Sequence, residues 1–442
     1  MHVAVVTQPV PNPDAGGHML AHWAIIKWLR ERSHRVTNIA IVPHGKTWLD
    51  VPRRLETLRQ LGVEVLDVPL PAATAQTRAP HQRVAAFLQP APAALFPTMR
   101  VAATVQAHLE RIQPDVVLAG NYEGLAVVDG FTRAPIMVLF GDPHHLVVFH
   151  RWWAMKERVS VWVNLKTGAG VLRLVVVEVP QLRRMLRRCA AVGATAAHHA
   201  AWFGRLAGQP CLYLPSPVED RAGAQWRERR AQATPNRVPR VLAIGHLGQT
   251  VTLPGIRMFL RDVLPVLDRE LGPDGVEVHF IGHTKGAPAE LLRLAERRQT
   301  LRIRGFVEPI DDDLWSAEVV LALNPTPLGN RLRIATAFAF GCCVVSHQAN
   351  QLGMPALRHD HNVLLADTGR GVARQLVRAL RDPELRQRLG AHARSTYERE
   401  YGNSVCARVE EQLQVLVRGG EPAVPSQEPA LLPAATGLLG EA

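Results

Sequence analysis

Residues 325–346 read Pro-Thr-Pro-Leu-Gly-Asn-Arg-Leu-Arg-Ile-Ala-Thr-Ala-Phe-Ala-Phe-Gly-Cys-Cys-Val-Val-Ser. The stretch combines a proline- and glycine-rich loop, a helical pattern, a closing glycine and an apolar run. In a parallel α/β sheet, such a unit brings a helix N-terminus to the carboxyl edge of the strands, where ligands bind. Arg331 and Arg333 stand in the first helical turn, where positive charge opposes the helix dipole and a bound anion relieves the conflict. Two solvated arginines at an exposed helix start are the alternative interpretation.

Strand and helix patterns alternate on both sides of this unit. Residues 2–7 are an apolar run typical of a buried parallel strand, and a helical pattern follows the loop that ends at Gly16 and Gly17. The alternation starts again at residue 241, which predicts two tandem Rossmann-like α/β domains facing across a cleft. The predicted limits are 1–216 for an N-terminal domain, 217–240 for a polar linker, 241–418 for a C-terminal domain and 419–442 for a disordered tail.

Composition and charge restrict the class of protein. The chain has 442 residues, 47% hydrophobic and 20% charged, which excludes a disordered protein. Residues 1–216 hold 23 Lys and Arg against 13 Asp and Glu, whereas residues 241–442 hold 22 against 23. The basic half favours an anionic partner, such as a membrane surface or a lipid-phosphate acceptor, with a merely solvated surface as the alternative. Nucleic acid is not expected, because no basic stripe with interleaved aromatics and no zinc-finger spacing occurs.

The cellular compartment is predicted from the N-terminal residues, the most apolar run and the cysteines. The opening MHVAVVTQ does not resemble a signal peptide, and the apolar run 159–182 is interrupted by charges. The five cysteines lack C-x-x-C spacing and are expected to be core thiols. The prediction is a cytoplasmic protein, with peripheral attachment to the inner face of the membrane as an option.

The 329–345 segment resembles a known family. The residues in register with the pattern Gly-x-Arg-Leu-Lys-x-x-Glu-Ala-x-Ala-x-Gly-x-Pro-Val-Val are Gly329, Arg331, Leu332, Arg333 (for Lys), Ala337, Ala339, Gly341, Val344 and Val345. The pattern is that of GT-B glycosyltransferases, specifically the retaining family-four enzymes. The resemblance implies transfer of a sugar from a nucleoside diphosphate donor to an acceptor hydroxyl, with retention of configuration. The implied acceptor is a glycan, a lipid-linked molecule or a small molecule.

The resemblance also implies which residues hold the substrates. The donor-binding residues are expected to be Gly245, Gly329, Asn330, Arg331, Arg333 and Thr336, and Gly16 and Gly17 are expected to form the acceptor-side loop. The nucleotide sugar is a substrate, and no cofactor or metal is expected.

Asp142 and His144 are the predicted catalytic residues. They lie in the run Gly141–His145, directly after a predicted strand, where a carboxylate or an imidazole can orient an acceptor hydroxyl or contact the donor sugar. An ordinary polar turn is the alternative. Metal binding by His144 and His145 is not expected, since no acidic cluster accompanies them. His198 and His199 are interpreted as surface residues of a helix.

One departure from the family pattern leaves the activity open. The family glutamate that holds the donor ribose corresponds to Thr336, and Leu328 stands where an acidic residue is common. The alternative functions are a non-catalytic sugar-nucleotide-binding protein and, less favoured, a sugar-nucleotide epimerase. A dinucleotide-dependent oxidoreductase would need a G-x-G-x-x-G motif after the first strand, which Gly16-Gly17 does not provide.

Three tryptophans form an aromatic and basic cluster with their neighbours. Trp152, Trp153 and Trp162 are interleaved with lysine and arginine. Docking on lipid headgroups is one interpretation, and buried packing under a long loop is the other.

Overall fold

Two parallel β-sheets organise the chain. The computed structural model describes residues 1–13, 17–43, 50–71, 96–155, 160–232, 236–249 and 251–421. The first sheet has the strand order β3-β2-β1-β4-β5-β6-β7 and the second has β10-β9-β8-β11-β12-β13. The strands are β1 His2–Thr7, β2 Arg35–Pro43, β3 Glu64–Leu70, β4 Val116–Gly120, β5 Ile136–Phe140, β6 Ala191–Ala194, β7 Cys211–Tyr213, β8 Arg240–Ile244, β9 Glu277–Ile281, β10 Leu301–Gly305, β11 Val319–Ala322, β12 Val344–His347 and β13 Leu364–Ala366.

Helices connect these strands. The α-helices are α1 His18–Glu31, α2 Val51–Gln60, α3 Ala102–Ile112, α4 Asn121–Val128, α5 His144–Met155, α6 Val161–Arg173, α7 Val179–Leu186, α8 Ala197–Ala207, α9 Trp226–Gln232, α10 Leu253–Met258, α11 Leu264–Leu271, α12 Ala289–Arg297, α13 Asp311–Ser316, α14 Leu332–Ala339, α15 Gly369–Arg381, α16 Pro383–Glu400 and α17 Asn403–Val417. Short 3₁₀ helices lie at Pro97–Val101 and Gln348–Leu352, and π-helical turns at Leu174–Glu178 and Phe259–Val263. The predicted α/β fold class of two Rossmann-like domains is confirmed.

The strand orders fix where ligands can bind. The order reverses between β1 and β4 in the first sheet and between β8 and β11 in the second. At such a reversal, the loops at the carboxyl ends of adjacent strands diverge and leave a crevice. The loops that carry the predicted site residues follow β5, β8 and β11, so they emerge at these carboxyl edges.

The last helix returns to the first sheet. Side chains of α17 join the core formed by α1 and the strands of the first sheet. Glu410 of this helix accepts hydrogen bonds from Trp28 Nε1 at 2.7 Å and pairs with His34 Nε2 at 2.8 Å. The predicted linker contains helix α9. The predicted domain limits stay a prediction, and residues 422–442 of the predicted tail lie outside the described residues.

We expect Leu413→Ala to destabilise the protein through the first sheet. Leu413 is fully buried in the core that α17 shares with that sheet. Removal of a buried leucine side chain costs about 2–5 kcal/mol of unfolding free energy. Denaturant unfolding measures the loss, and Val417→Ala, an exposed position on the same helix, is the matched control. Equal stability of the two variants would contradict this packing.

Candidate donor and acceptor site

The 325–341 segment forms a loop followed by helix α14. Gly329 and Gly341 have φ values of 68° and 62°, in the left-handed region that favours glycine. A Cβ on Gly341 would lie 2.5 Å from a ring carbon of Trp226, and one on Gly329 would lie 3.2 Å from the carboxylate of Asp142. The glycines of the motif therefore allow both the backbone turns and the close approach of neighbouring side chains.

Arg333 lies at the strand-order reversal of the second sheet. Its Nη1 donates to Asn324 Oδ1 at 3.1 Å, just beyond the end of β11. A Cβ on Gly245, which follows β8 and has a φ of 151°, would lie only 2.7 Å from the same Nη1. A pocket lined by Gly245, Thr252, Asn324 and Arg333 opens here. The structure thus brings together two of the predicted donor-binding residues, Gly245 and Arg333.

Arg331 precedes α14 and is held by neutral groups. Its Nε donates to Asn350 Oδ1 at 2.9 Å and its Nη2 to the Thr326 carbonyl at 2.7 Å. The side chain is buried, so the interpretation of Arg331 as a solvated arginine is wrong. The sequence did not predict that Asn350 would anchor it.

Neither guanidinium group forms a salt bridge with a carboxylate of the described residues; their hydrogen bonds go to neutral acceptors. Burial lowers the pKa of Arg331 to about 10, and the charge of Asp142 acts in the opposite direction. Burial, together with the nearby charge of Arg331, also lowers the pKa of Arg333 to about 10. Charged groups removed from water are costly unless they are paired. A bound anion beside Arg331 and Arg333 would supply the missing charge.

Asp142 faces the donor loop from the other sheet. It follows β5, and its Oδ1 lies 3.0 Å from His199 Nδ1. The neighbouring His198 donates from Nε2 to the Pro327 carbonyl at 3.0 Å, and burial lowers its pKa to about 4, which keeps the ring neutral. His199 is fully buried and His198 bridges the two sheets, so the interpretation of these histidines as surface residues is wrong. The sequence contains one indication of this arrangement, since both histidines lie at the start of a helix that directly follows strand β6.

His144 lies at the start of α5 on the same side of the first sheet. Its ring stacks on Tyr122 with centroids 4.6 Å apart and an interplanar angle of 4°. Its Nδ1 lies 3.4 Å from Oε1 of Glu178, a buried carboxylate that the sequence reading missed. Burial favours the neutral ring, but the hydrogen bond and charge of Glu178 outweigh it and raise the pKa of His144. Asp142 and His144 are neighbours in the sequence, but the structure gives them different partners, His199 for Asp142 and Glu178 for His144.

We expect Glu178→Gln to lower the pKa of His144. Without the carboxylate, burial is the dominant influence and favours the neutral ring. Since the pKa is raised in the folded protein, the pair contributes stability that is fully present below the ordinary value of 6.5. That stability is lost as the pH rises through the raised pKa. NMR titration of the ring, with His144→Gln to assign its signal, measures the shift; an unchanged pKa would contradict the pairing.

The remaining predicted residues occupy different places. Both side-chain amide atoms of Asn330 are enclosed and have no hydrogen-bond partner among the described residues. Thr336 lies three residues beyond Arg333 on α14 and is partly exposed, on the same helix side. Gly17 begins α1 with a φ of 65°, whereas Gly16 lies outside the described residues. Within the described ranges, no group of three His, Cys, Asp or Glu side chains forms a metal-binding arrangement.

Comparison with known proteins identifies the second domain. Residues 238–382 match the family described as "Glycosyl transferases group 1". These residues form a group 1 glycosyl transferase domain. The matched range contains β8, the 325–341 loop and α14, and therefore Gly245, Arg331 and Arg333. No curated protein sequence matches the chain.

Solved structures share the fold over almost the whole length of the chain. HepE of Anabaena in complex with UDP has 15% identity and a TM-score of 0.63, with coverage of 94% of this chain and 100% of that one. Sucrose-phosphate synthase of Thermosynechococcus elongatus has 13% identity and a TM-score of 0.62, with coverage of 95% and 100%. A glycosyltransferase of Rickettsia africae has 11% identity and a TM-score of 0.61, with coverage of 94% and 98%. The likeness confirms the predicted two-domain GT-B fold, and the family match confirms a glycosyl transferase domain at residues 238–382. The narrower resemblance to retaining family-four enzymes stays a prediction.

Proposed function

We propose that this glycosyltransferase moves a sugar from a nucleoside diphosphate donor to an acceptor hydroxyl, with retention of configuration. The observation that carries the proposal is a pair of arginines held by neutral acceptors at the start of α14, the buried Arg331 and the partly buried Arg333. A diphosphate is the anion that a sugar donor of a group 1 domain would bring to this position. The first helical turn of α14 contains no acidic side chain that would repel it.

The chemical roles follow from the surroundings of each side chain. The bond between the sugar and the diphosphate breaks with its electron pair going to the phosphate oxygen, and Arg333 and Arg331 stabilise that charge. The acceptor oxygen forms the new bond to the sugar carbon, and its proton passes to a basic oxygen at the site. Asp142 is our candidate for orienting the acceptor or the sugar, since its carboxylate faces Gly329 of the donor loop. We assign to His144, which pairs with Glu178, the role of hydrogen-bonding the acceptor.

The donor and acceptor classes are suggested by the neighbours. HepE was crystallised with UDP and with UDP-glucose, and TarM with UDP and α-GlcNAc-glycerol. We propose a UDP-sugar as the first donor to test for this chain, and a glycan, lipid-linked or small-molecule acceptor. None of the described helices is long and apolar enough to cross a membrane. A cytoplasmic location is part of the proposal.

A second candidate function is binding without turnover. Leu328 is buried at the position where the family often carries an acidic residue, and Thr336 replaces the ribose-binding glutamate. A hydroxyl can still hydrogen-bond a ribose, but more weakly than a carboxylate does. The loss of those carboxylates favours a sugar-nucleotide-binding protein that has kept the fold.

Calorimetry and product analysis separate the two functions. Isothermal titration with UDP, GDP and ADP is expected to show binding of at least one nucleotide, and incubation of the matching sugar nucleotides with an acceptor panel is expected to release the diphosphate. Binding without release, across the panel, would favour the non-catalytic function. No binding of any nucleotide would contradict both.

A further inference from the structure

Exposed apolar side chains are concentrated on one part of the first domain. Of the eleven large apolar residues that are exposed in the described part of the chain, eight lie between residues 153 and 176. They are Trp153, Val161, Trp162, Val163, Leu165, Leu172, Val175 and Val176. Trp162 is 74% exposed and Trp153 is 52% exposed, so the interpretation of a tryptophan cluster buried under a loop is wrong for these two residues. Trp152 is half-buried and donates from Nε1 to Asn164 Oδ1 at 2.9 Å.

These side chains lie on one continuous helical rod. The rod comprises α6, the π-helical turn Leu174–Glu178 and α7, and α6 has no buried residue. Val161, Leu165, Leu172 and Val176 follow one another at intervals of four, seven and four residues, which places them on a common side of the helix. A surface helix of a water-soluble protein normally turns polar residues outward. Here the outward side of the rod is apolar, which is typical of a surface that a membrane or another protein covers.

The same rod continues into a basic surface. Arg183 and Arg184 of α7, and Arg187 directly after it, are exposed, and none of the three pairs with a described carboxylate. The acidic residue within 160–188 is Glu178, which is buried and turned toward His144. An apolar side next to arginines without paired carboxylates is complementary to an anionic lipid surface. The apolar side matches the acyl region of such a surface, and the arginines match its phosphates.

We propose that this rod binds peripherally to an anionic lipid bilayer, with its apolar side in the interface and its arginines on the headgroup phosphates. A second copy of the chain is less suited to the same surface, because its own rod has no exposed acidic residue that could pair with these arginines. The rod does not cross the membrane, since no described helix meets the requirement for spanning. The proposal goes beyond the proposed sugar transfer and does not depend on it. Lipid binding by the rod would bring the bilayer surface close to His144, because Glu178, which pairs with His144, lies on the inward side of the same rod.

Vesicle co-sedimentation of the full chain tests the proposal. Vesicles of phosphatidylcholine with about a third phosphatidylglycerol should bind at least about tenfold more protein than pure phosphatidylcholine vesicles, and added salt should reduce the binding. Trp162→Glu combined with Val176→Glu should lower binding about tenfold or more, and so should Arg183→Ser combined with Arg187→Ser. Phe306→Glu is the matched control, because Phe306 is 57% exposed on the group 1 domain.

The outcomes are distinguishable from failure of the sugar transfer. Circular dichroism and thermal unfolding report whether each variant keeps its fold, and UDP binding on the same preparations reports the donor site separately. Equal binding to both vesicle types, no binding to either, or an equal loss in Phe306→Glu would overturn the proposal. So would a dimer in sedimentation analysis that Trp162→Glu and Val176→Glu convert to a monomer, since a second copy would then cover the rod.

Discussion

Arg333→Ala is expected to weaken binding of the nucleoside diphosphate by about 2–4 kcal/mol, which is about 30- to 1,000-fold. Arg333 is held against Asn324 and Gly245, and no carboxylate in the described part of the chain pairs with it, so its charge is available to the ligand. Arg331→Ala should weaken binding as well. The hydrogen-bond partners of Arg331, Asn350 and Thr326, are neutral, so they leave its positive charge for the diphosphate. Titration calorimetry with UDP measures the loss.

Two further variants give this prediction its control. Arg378→Ala removes an exposed arginine that pairs with Asp360 on the same domain and should leave nucleotide binding unchanged. Thr336→Ala should have a smaller effect than either Arg331→Ala or Arg333→Ala, since it removes one neutral hydroxyl. If Arg333→Ala and Arg378→Ala bind UDP equally well, the diphosphate does not lie at α14.

Asp142→Asn is expected to separate binding from turnover. Loss of a carboxylate that acts on the reacting groups lowers transfer by about 10²–10⁴-fold. Diphosphate binding should stay the same or tighten, because Asp142 is the carboxylate whose charge already acts on Arg331. Transfer falls while diphosphate binding is kept, a combination that a misfolded variant would not produce. Initial rates of diphosphate release and calorimetry on one preparation measure both.

The control for this variant lies on the same sheet. Asp67 is an exposed aspartate of β3, and Asp67→Asn should change neither quantity. Weaker UDP binding by Asp142→Asn would argue that the carboxylate only holds the loop in place. Undiminished transfer by that variant would remove Asp142 from the reaction.

Much of the fold could be predicted from the sequence because parallel sheets have a local signature. Short apolar runs such as Ile136–Phe140 become buried strands wherever helices cover both faces, so their pattern is visible without knowledge of their neighbours. The return of α17 to the first sheet has no such signature. Its apolar positions show that the helix is amphipathic, but not which of two sheets receives it.

Part of the candidate site could likewise be predicted from the sequence, and part could not. The loop and helix around Arg331 and Arg333 are contiguous in sequence, so their joint role could be inferred from one segment. The partners that determine their charge state are distant in sequence: Asn350 follows β12, and Asp142 belongs to the other sheet. His199 and Glu178 were missed for this reason, since a buried histidine or glutamate acquires its partner only when separate elements pack together.

A crystal structure of the protein with UDP tests the central claim most directly. We expect the diphosphate at the N-terminus of α14, within hydrogen-bond distance of the Arg333 guanidinium and beside Gly245, with Asp142 facing the open sugar-binding side. A diphosphate bound elsewhere, with Arg331 and Arg333 still contacting only Asn350, Thr326 and Asn324, would contradict the account.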